Sequence, residues 1–329
     1  MDNNNIEQSL KEYGARIDER LKGLFPVKND YLSDAIWYHM ESGGKRMRPA
    51  LCLMICEALG GNPDDAIPFA AAVEILHNMF LMHDDIEDGD TMRRDKPTVW
   101  VKFGTANAIN AGDYLLGRAY RVLLDSNLPL EKKIRLLDIF TFAYERTVEG
   151  QALDINWRGS EDFTIDHYLE TVELKTAYYL TCGMAGGAVV AGRSDAVIEK
   201  IWELGKSMGP AFQIRDDLID LTQGKGRGGV IGSDIKEGKP SFLYAYTMSQ
   251  AGAGDRERLI EIMLKPREST STRVVDEVIN LYNKYDAINY AQKFAEGLVE
   301  KSFKIIEEIP VEDKTTFREL AQFMAQRTA

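Results

Sequence analysis

Apolar side chains recur at spacings of three and four along nearly the whole chain, and the apolar–polar alternation that marks strands is almost absent. After "GGNPDD", the run from Ala66 to about Asp88 holds no glycine and one early proline. It predicts a single long helix with Asp64 or Asp65 near its N-cap. On that helix Val73, Leu76, Phe80 and Asp84 share a face. The same periodicity predicts helices over roughly 106–124, 130–156, 165–191 and 196–221, and a C-terminal helical set over about 274–309. The segment "YYLTCGMAGGAVVAG" is apolar but dominated by small residues, which suits a buried helix in close contact with a neighbour. The main glycine-rich break, "QGKGRGGVIGSD" at 223–234, is too short for a domain linker, and no repeat or compositional shift marks a boundary. The expectation is an all-α fold of many long helices in a single domain over residues 1–329.

Composition narrows the function. With 44% apolar and 28% charged residues, the chain belongs with soluble globular proteins. A net charge of −12 argues against a general nucleic-acid surface, while leaving room for a local basic pocket. No apolar run reaches the ~18 to 20 residues of a membrane span, and the polar start lacks a secretion pattern. Three cysteines fit a reducing compartment, and a cytoplasmic protein is expected. Cys52 and Cys56 lie one helical turn apart with no companion ligands for zinc, so both read as small core residues.

The chemistry concentrates in "HDDIEDGDTMRR", residues 83–94, where five carboxylates occupy the seven positions from Asp84 to Asp90. Asp84 and Asp88, four apart, share a helix face with Cβ atoms ~5–6 Å apart, a like-charge pairing that costs ~0.2–0.5 kcal/mol unless a cation offsets it. The same DDxxD spacing returns in "RDDLID" as Asp216, Asp217 and Asp220. Each copy follows an apolar helical stretch, "EILHNMFLM" or "MGPAFQI", which places it at the mouth of a cavity rather than on a solvated face. Oxygen donors of this kind suit magnesium held together with a bound phosphate. A calcium loop does not fit: counting from Asp84 puts Ile86 third, and counting from Asp85 puts Gly89 fifth rather than sixth.

Basic residues stand close by. Arg93 and Arg94 follow the first motif, and "GGKRMRP" supplies Lys45, Arg46 and Arg48, the forks and point charges that a diphosphate requires. With "EGQALDI", "LKTA", "FQIRDDLIDL" and "GSDIKEGK", these pieces span residues 43–239 in one order. In that order they resemble the trans-isoprenyl diphosphate synthase (polyprenyl synthase) family, short-chain farnesyl/geranylgeranyl type. The resemblance implies a large all-α bundle around a deep central cavity, usually in a homodimer. It implies that Asp84, Asp88 and Asp216 bind the magnesium ions holding an allylic diphosphate, with Asp85 and Asp220 as secondary ligands. Arg93, Lys175, Thr176, Gln213 and Lys239 would lie at that diphosphate. Lys45, Arg48, His77 and Arg94 would hold isopentenyl diphosphate in a separate, metal-free site. Without the motif His77 reads as a core histidine, as His83 does; Gln151 and Asp154 have less direct roles. The family commonly carries a lysine a few residues before "GSD", where this chain has Gly229 and Val230, and Lys225 or Arg227 stands nearby instead. "EGKP" is not a phosphate-binding Walker element, since its glycine spacing fails and Pro240 follows the lysine.

The implied reaction is ionisation of the allylic C–O bond, attack by the isopentenyl double bond, and proton loss, with the released diphosphate as base. No protein nucleophile is needed. The product would grow down the helix that carries the first motif, where Met79 and Phe80 lie about 6 Å, one turn, deeper than Asp84. A bulky Phe80 makes a floor, which points to fifteen or twenty carbons. A terpene cyclase or a head-to-head synthase has no use for "GGKRMRP", His77 and Arg94. A non-catalytic modulatory subunit, typically lacking one aspartate motif, a longer-chain synthase, and a plain acidic helical scaffold or metal-binding protein are the remaining alternatives.

Overall fold

The structure, a computed structural model, describes residues 3–25, 31–222 and 231–326. Its chain divides into two compact units. One comprises residues 1–142, 181–201 and 309–319, the other 143–180, 202–308 and 320–329. In order, the helices are α1 (Asn3–Lys22), α2 (Tyr31–Met40), α3 (Met47–Ala58), α4 (Pro63–Glu87), α5 (Val99–Phe103), α6 (Thr105–Leu124), α7 (Leu130–Asn156) and α8 (Ile165–Val172). There follow α9 (Tyr178–Val190), α10 (Asp195–Asp220), α11 (Ser233–Lys236), α12 (Phe242–Gln250), α13 (Ala253–Met263), α14 (Thr272–Lys284), α15 (Ala287–Glu308) and α16 (Thr315–Gln326). Among the described residues the strands are confined to a two-stranded ribbon, β1 (Met92–Arg93) against β2 (Lys96–Pro97).

In the first unit α4 is the central helix, packed against α3 and α6. Phe69, Val73, Ile75 and Leu76 are fully enclosed. It starts three residues before the expected Ala66. The cap is Asn62, not Asp64 or Asp65: its side chain accepts the Asp64 N–H at 3.1 Å, and Pro63 occupies the first turn, where its missing N–H costs nothing. Contrary to expectation, this helix is long and apolar enough, by length and composition, to cross a membrane, but 67% of its apolar window is buried inside the protein, as befits a core helix.

The small-residue helix behaves as expected. A Cβ on Gly186 would lie 1.9 Å from the Phe69 ring, and one on Gly187 would lie 2.3 Å from the Cys52 carbonyl oxygen. Only glycine allows that approach to α3 and α4. Cys52, Cys56 and Cys182 are free and buried, as core residues.

The second unit is built on Phe163, Tyr168, Ile214, Phe242, Leu259, Val278 and Tyr282. One expectation changes here. The stretch 165–191 is not uniform: α8 and α9 are joined by a π-helical turn, Glu173–Ala177. The expected C-terminal helical set is present as two helices, α14 and α15, parted at Asp286, whose φ of 57° ends the helical path.

Candidate active site

The first motif lies on the last turn of α4, a helix end with no basic residue. Carboxylates there oppose the helix dipole, whose C-terminal end is negative, at ~0.3–1 kcal/mol each. The adjacent acids differ in environment. Asp84 and Asp88 are half-buried, whereas Asp85 is 1% exposed and accepts the Arg93 Nε–H at 2.6 Å. Burial pushes the Asp85 carboxyl up to about 6 although Arg93 pulls it down. Its second oxygen, Oδ2, is buried with no hydrogen-bond partner among the described residues. An acid-only helix end beside an orphaned carboxylate oxygen fits a hard divalent cation. Among the described residues no three His, Cys, Asp or Glu side chains form a metal cage. A cation shared with phosphate needs only one or two carboxylates.

The ribbon that follows delivers the arginines. Met92 pairs with Pro97 and Arg93 with Lys96. The turn residues Arg94 (φ 51°) and Asp95 (φ 62°) are both left-handed, as a type I′ turn demands. Two anchors hold it: the Asp90 carbonyl accepts from Thr98 Oγ1 and Trp100 Nε1, each at 2.8 Å, and Tyr38 OH donates to the Pro97 carbonyl at 2.8 Å. Arg94 donates through Nη1 to Ser42 Oγ at 3.1 Å, beside Gly44.

"GGKRMRP" separates into different tasks. Lys45 is exposed and Arg48 half-buried, with Nη1 of Arg48 3.4 Å from His77 Nε2. Arg46 instead points inward: left-handed (φ 47°) and 6% exposed, it donates to Glu74 Oε1 at 2.6 Å and to Asp18 Oδ1 at 2.7 Å. Burial, then Arg48, Arg94 and Arg93, lower the His77 pKa well below the ordinary range, so the ring is neutral among guanidinium groups. This concentration of positive charge around a neutral imidazole suits an anion. Met79 is buried and Phe80 half-buried, one turn before Asp84. His83 lies on Gly112 of α6, where an added Cβ would meet its Nε2 at 2.2 Å.

The second unit holds the other group of residues. The π-helical turn carries "LKTA" and is gripped by two glycines: a Cβ on Gly150 of α7 would lie 2.2 Å from the Lys175 backbone nitrogen, and one on Gly209 of α10 would lie 2.4 Å from Ala177 Cβ. Such turns often mark functional positions. Lys175 Nζ donates to Asp154 Oδ2 at 2.7 Å, and Thr176 Oγ1 to Gln213 Oε1 at 3.4 Å. Burial would raise the Asp154 carboxyl, but Lys239, Lys175 and Arg158 outweigh it and keep it ionised. A narrow cleft, with about 40 Å³ of room for water-sized spheres, is lined by Lys175, Thr176, Gln213, Asp217 and Lys239, with Trp157, Phe163 and Tyr168 as its aromatic wall.

On α10 the acids again divide. Asp216 is half-buried, while Asp217 and Asp220 are buried. Asp220 accepts the N–H groups of Ser233 and Asp234, each at 3.2 Å, tying down "GSD". Burial and the nearby Asp234 raise both Asp217 and Asp220. Like α4, α10 ends without a basic residue. The basic substitutes Lys225 and Arg227, with Gly229 and Val230, lie outside the described residues.

Sequence reasoning missed the tasks of Arg46, Tyr168 and Asp217. Tyr168 reads as one more aromatic on an amphipathic helix, and its bond to Asp217, 49 residues away, leaves no local signal. The available hint for Arg46 was its crowding: three basic residues within four positions cannot all face one ligand.

Comparison with known proteins agrees with this reading. The chain matches the polyprenyl synthetase family over residues 29–282. It is 33% identical over 334 residues to a geranylgeranyl diphosphate synthase of Saccharolobus solfataricus, covering 99% of both chains. It is also 33% identical over 324 residues to a short chain isoprenyl diphosphate synthase of Methanothermobacter thermautotrophicus, covering 97% of each. The crystal structure of geranylgeranyl pyrophosphate synthetase from Pyrococcus horikoshii superposes with a TM-score of 0.89 at 34% identity, covering 98% of this chain and 99% of that one. Motifs, all-α fold and whole-length similarity coincide, and the chain belongs to the polyprenyl synthetase family.

Proposed function

We propose that the protein is a trans-prenyltransferase. It condenses isopentenyl diphosphate head-to-tail with an allylic diphosphate (dimethylallyl, geranyl or farnesyl) to give a short-chain, all-trans prenyl diphosphate of fifteen to twenty carbons. The carrying observation is the repeated division of labour at the two acidic helix ends. Asp84 and Asp216 stay half-buried, while their neighbours Asp85 and Asp217 are buried and hydrogen-bonded. Each motif thus sets a carboxylate that reaches the surface beside one that is enclosed and holds the motif in place.

In this reading Asp84, Asp88 and Asp216 hold magnesium, with Asp85 and Asp220 in secondary roles. Bound magnesium supplies the positive charge that stabilises a departing diphosphate. Arg93, Lys175, Thr176, Gln213 and Lys239 orient the allylic diphosphate, and fixed cations of this kind favour charge that develops as the C–O bond breaks. Lys45, Arg48, His77 and Arg94 bind isopentenyl diphosphate, holding its double bond near the allylic carbon so that attack becomes effectively unimolecular. The neutral state of His77 lets it accept or donate a hydrogen bond there without adding to the surrounding positive charge. Apolar side chains, Phe80 among them, keep water from the cation.

The same reading takes residues 1–329 as one synthase domain, working as a homodimer in the cytoplasm; the free, buried cysteines support a reducing compartment. The test is substitution of the three principal carboxylates. Asp84→Asn, Asp88→Asn and Asp216→Asn should each lower kcat by on the order of 10²-fold or more, what loss of one group stabilising developing charge costs. Wild-type turnover by Asp216→Asn would remove the second motif from the mechanism.

A further inference from the structure

The Asp217 carboxylate is buried and receives hydrogen bonds from three elements. Tyr168 OH of α8 donates to Oδ2 at 2.8 Å, and the backbone N–H of Phe242, which opens α12, donates to the same oxygen at 3.0 Å. Gln213 Nε2, one turn earlier on α10, donates to Oδ1 at 3.2 Å. A carboxylate only accepts, so this contact decides which end of the Gln213 amide faces it. The NH2 group turns to Asp217, and Oε1 is left to accept from Thr176 Oγ1 on the π-helical turn. One N–H of Gln213 is thereby used, and the same nitrogen keeps a second donor.

We propose that Tyr168 and Asp217 are positioning residues for the allylic-diphosphate site, fixing the amide of Gln213 before substrate arrives. The proposal rests on the reading above, in which Gln213 and Thr176 lie at that diphosphate. Asp217 is well suited to the task. Two donors from α8 and α12 hold Oδ2, so the carboxylate cannot rotate, and Oδ1 is aimed along α10 at the residue one turn back. An amide with its orientation set in advance loses less entropy on binding an anion than one that must choose it. Tyr168 is also separable from the packing around it. Its ring is 4% exposed and meets Phe242 edge-on, centroids 5.5 Å apart, so removal of the hydroxyl leaves the aromatic contact intact.

The test is a double-mutant cycle by steady-state kinetics with geranyl and isopentenyl diphosphates, on wild type, Tyr168→Phe, Gln213→Ala and the double variant. Tyr168→Phe should raise the KM for geranyl diphosphate by about 3- to 10-fold, the worth of one hydrogen bond, and keep the KM for isopentenyl diphosphate within about 2-fold. In the Gln213→Ala background the same change should add nothing to the geranyl KM, because the group it acts through is gone. A lowered Tm with both KM values unchanged would make Tyr168 a purely structural residue and overturn the proposal, as would an effect that multiplies that of Gln213→Ala. If Gln213→Ala alone leaves the geranyl KM untouched, the assignment of Gln213 falls and the relay with it, a result distinct from the multiplicative one.

Discussion

Neighbouring residues of one type do different work here, and burial is what separates them. Arg46 is enclosed and paired with Glu74, which burial pushes up even with the guanidinium beside it, so the pair holds a loop rather than a ligand. His39 is a second case. Burial, then Arg93 and Arg94, lower its pKa to about 3 from an ordinary 6.5. The folded state therefore binds fewer protons than the unfolded chain between those values. The stability linked to a neutral His39 is complete above about pH 6.5 and is lost as pH falls towards 3. Buried carboxyls such as Asp85, raised to about 6, act with the opposite sign over an overlapping range, so the test must be a difference. The gap in urea-unfolding free energy between wild type and His39→Gln should narrow from pH 7.5 to pH 5; a gap independent of pH would mean that His39 is not held neutral. None of this was legible beforehand. Adjacent positions on a helix differ by about 100° in direction, and a sequence shows two aspartates without showing which one the core takes.

At the scale of elements the sequence was more informative. The long helices lie where the three-and-four spacing put them, with ends displaced by a few residues, because propensity alone does not locate a cap such as Asn62. The π-helical turn escaped for a specific reason. It slips the helix by one residue, and α9 beyond it is buried on every side, so no apolar face remains against which the slip can be read. That turn is held by close approach. Gly150→Ala should push the Lys175 backbone aside and lower kcat/KM for the allylic substrate by about 10- to 100-fold, since small misplacements at a reacting centre cost that much. Gly117→Ala, on an exposed part of α6 with nothing within 4 Å of the added methyl, should retain activity; equal behaviour of the two variants would dissociate the turn from function. On α4, Met79 is enclosed and Phe80 half-buried, so the proposed floor to the growing chain is tested at Phe80. Phe80→Ala should lengthen the product, read by mass spectrometry, whereas Met79→Ala should lower stability by about 2–5 kcal/mol and leave product length alone. An unchanged profile in Phe80→Ala would place the floor elsewhere.

For the molecule as a whole, similarity to prenyl diphosphate synthases runs over nearly its full length, and both aspartate motifs and the "GGKRMRP" element are intact. The acidic helix ends belong to different compact units assembled from interleaved stretches of sequence. The proposed reaction uses both motifs and needs no other synthase subunit. The direct measurement is incubation of the purified protein with isopentenyl diphosphate, dimethylallyl diphosphate and magnesium, with diphosphate release followed and products sized by mass spectrometry. The account predicts all-trans prenyl diphosphates ending at fifteen to twenty carbons, abolished by chelation and restored by added magnesium. No condensation by the protein alone, under conditions where it binds either substrate, would contradict it and leave a modulatory subunit in its place.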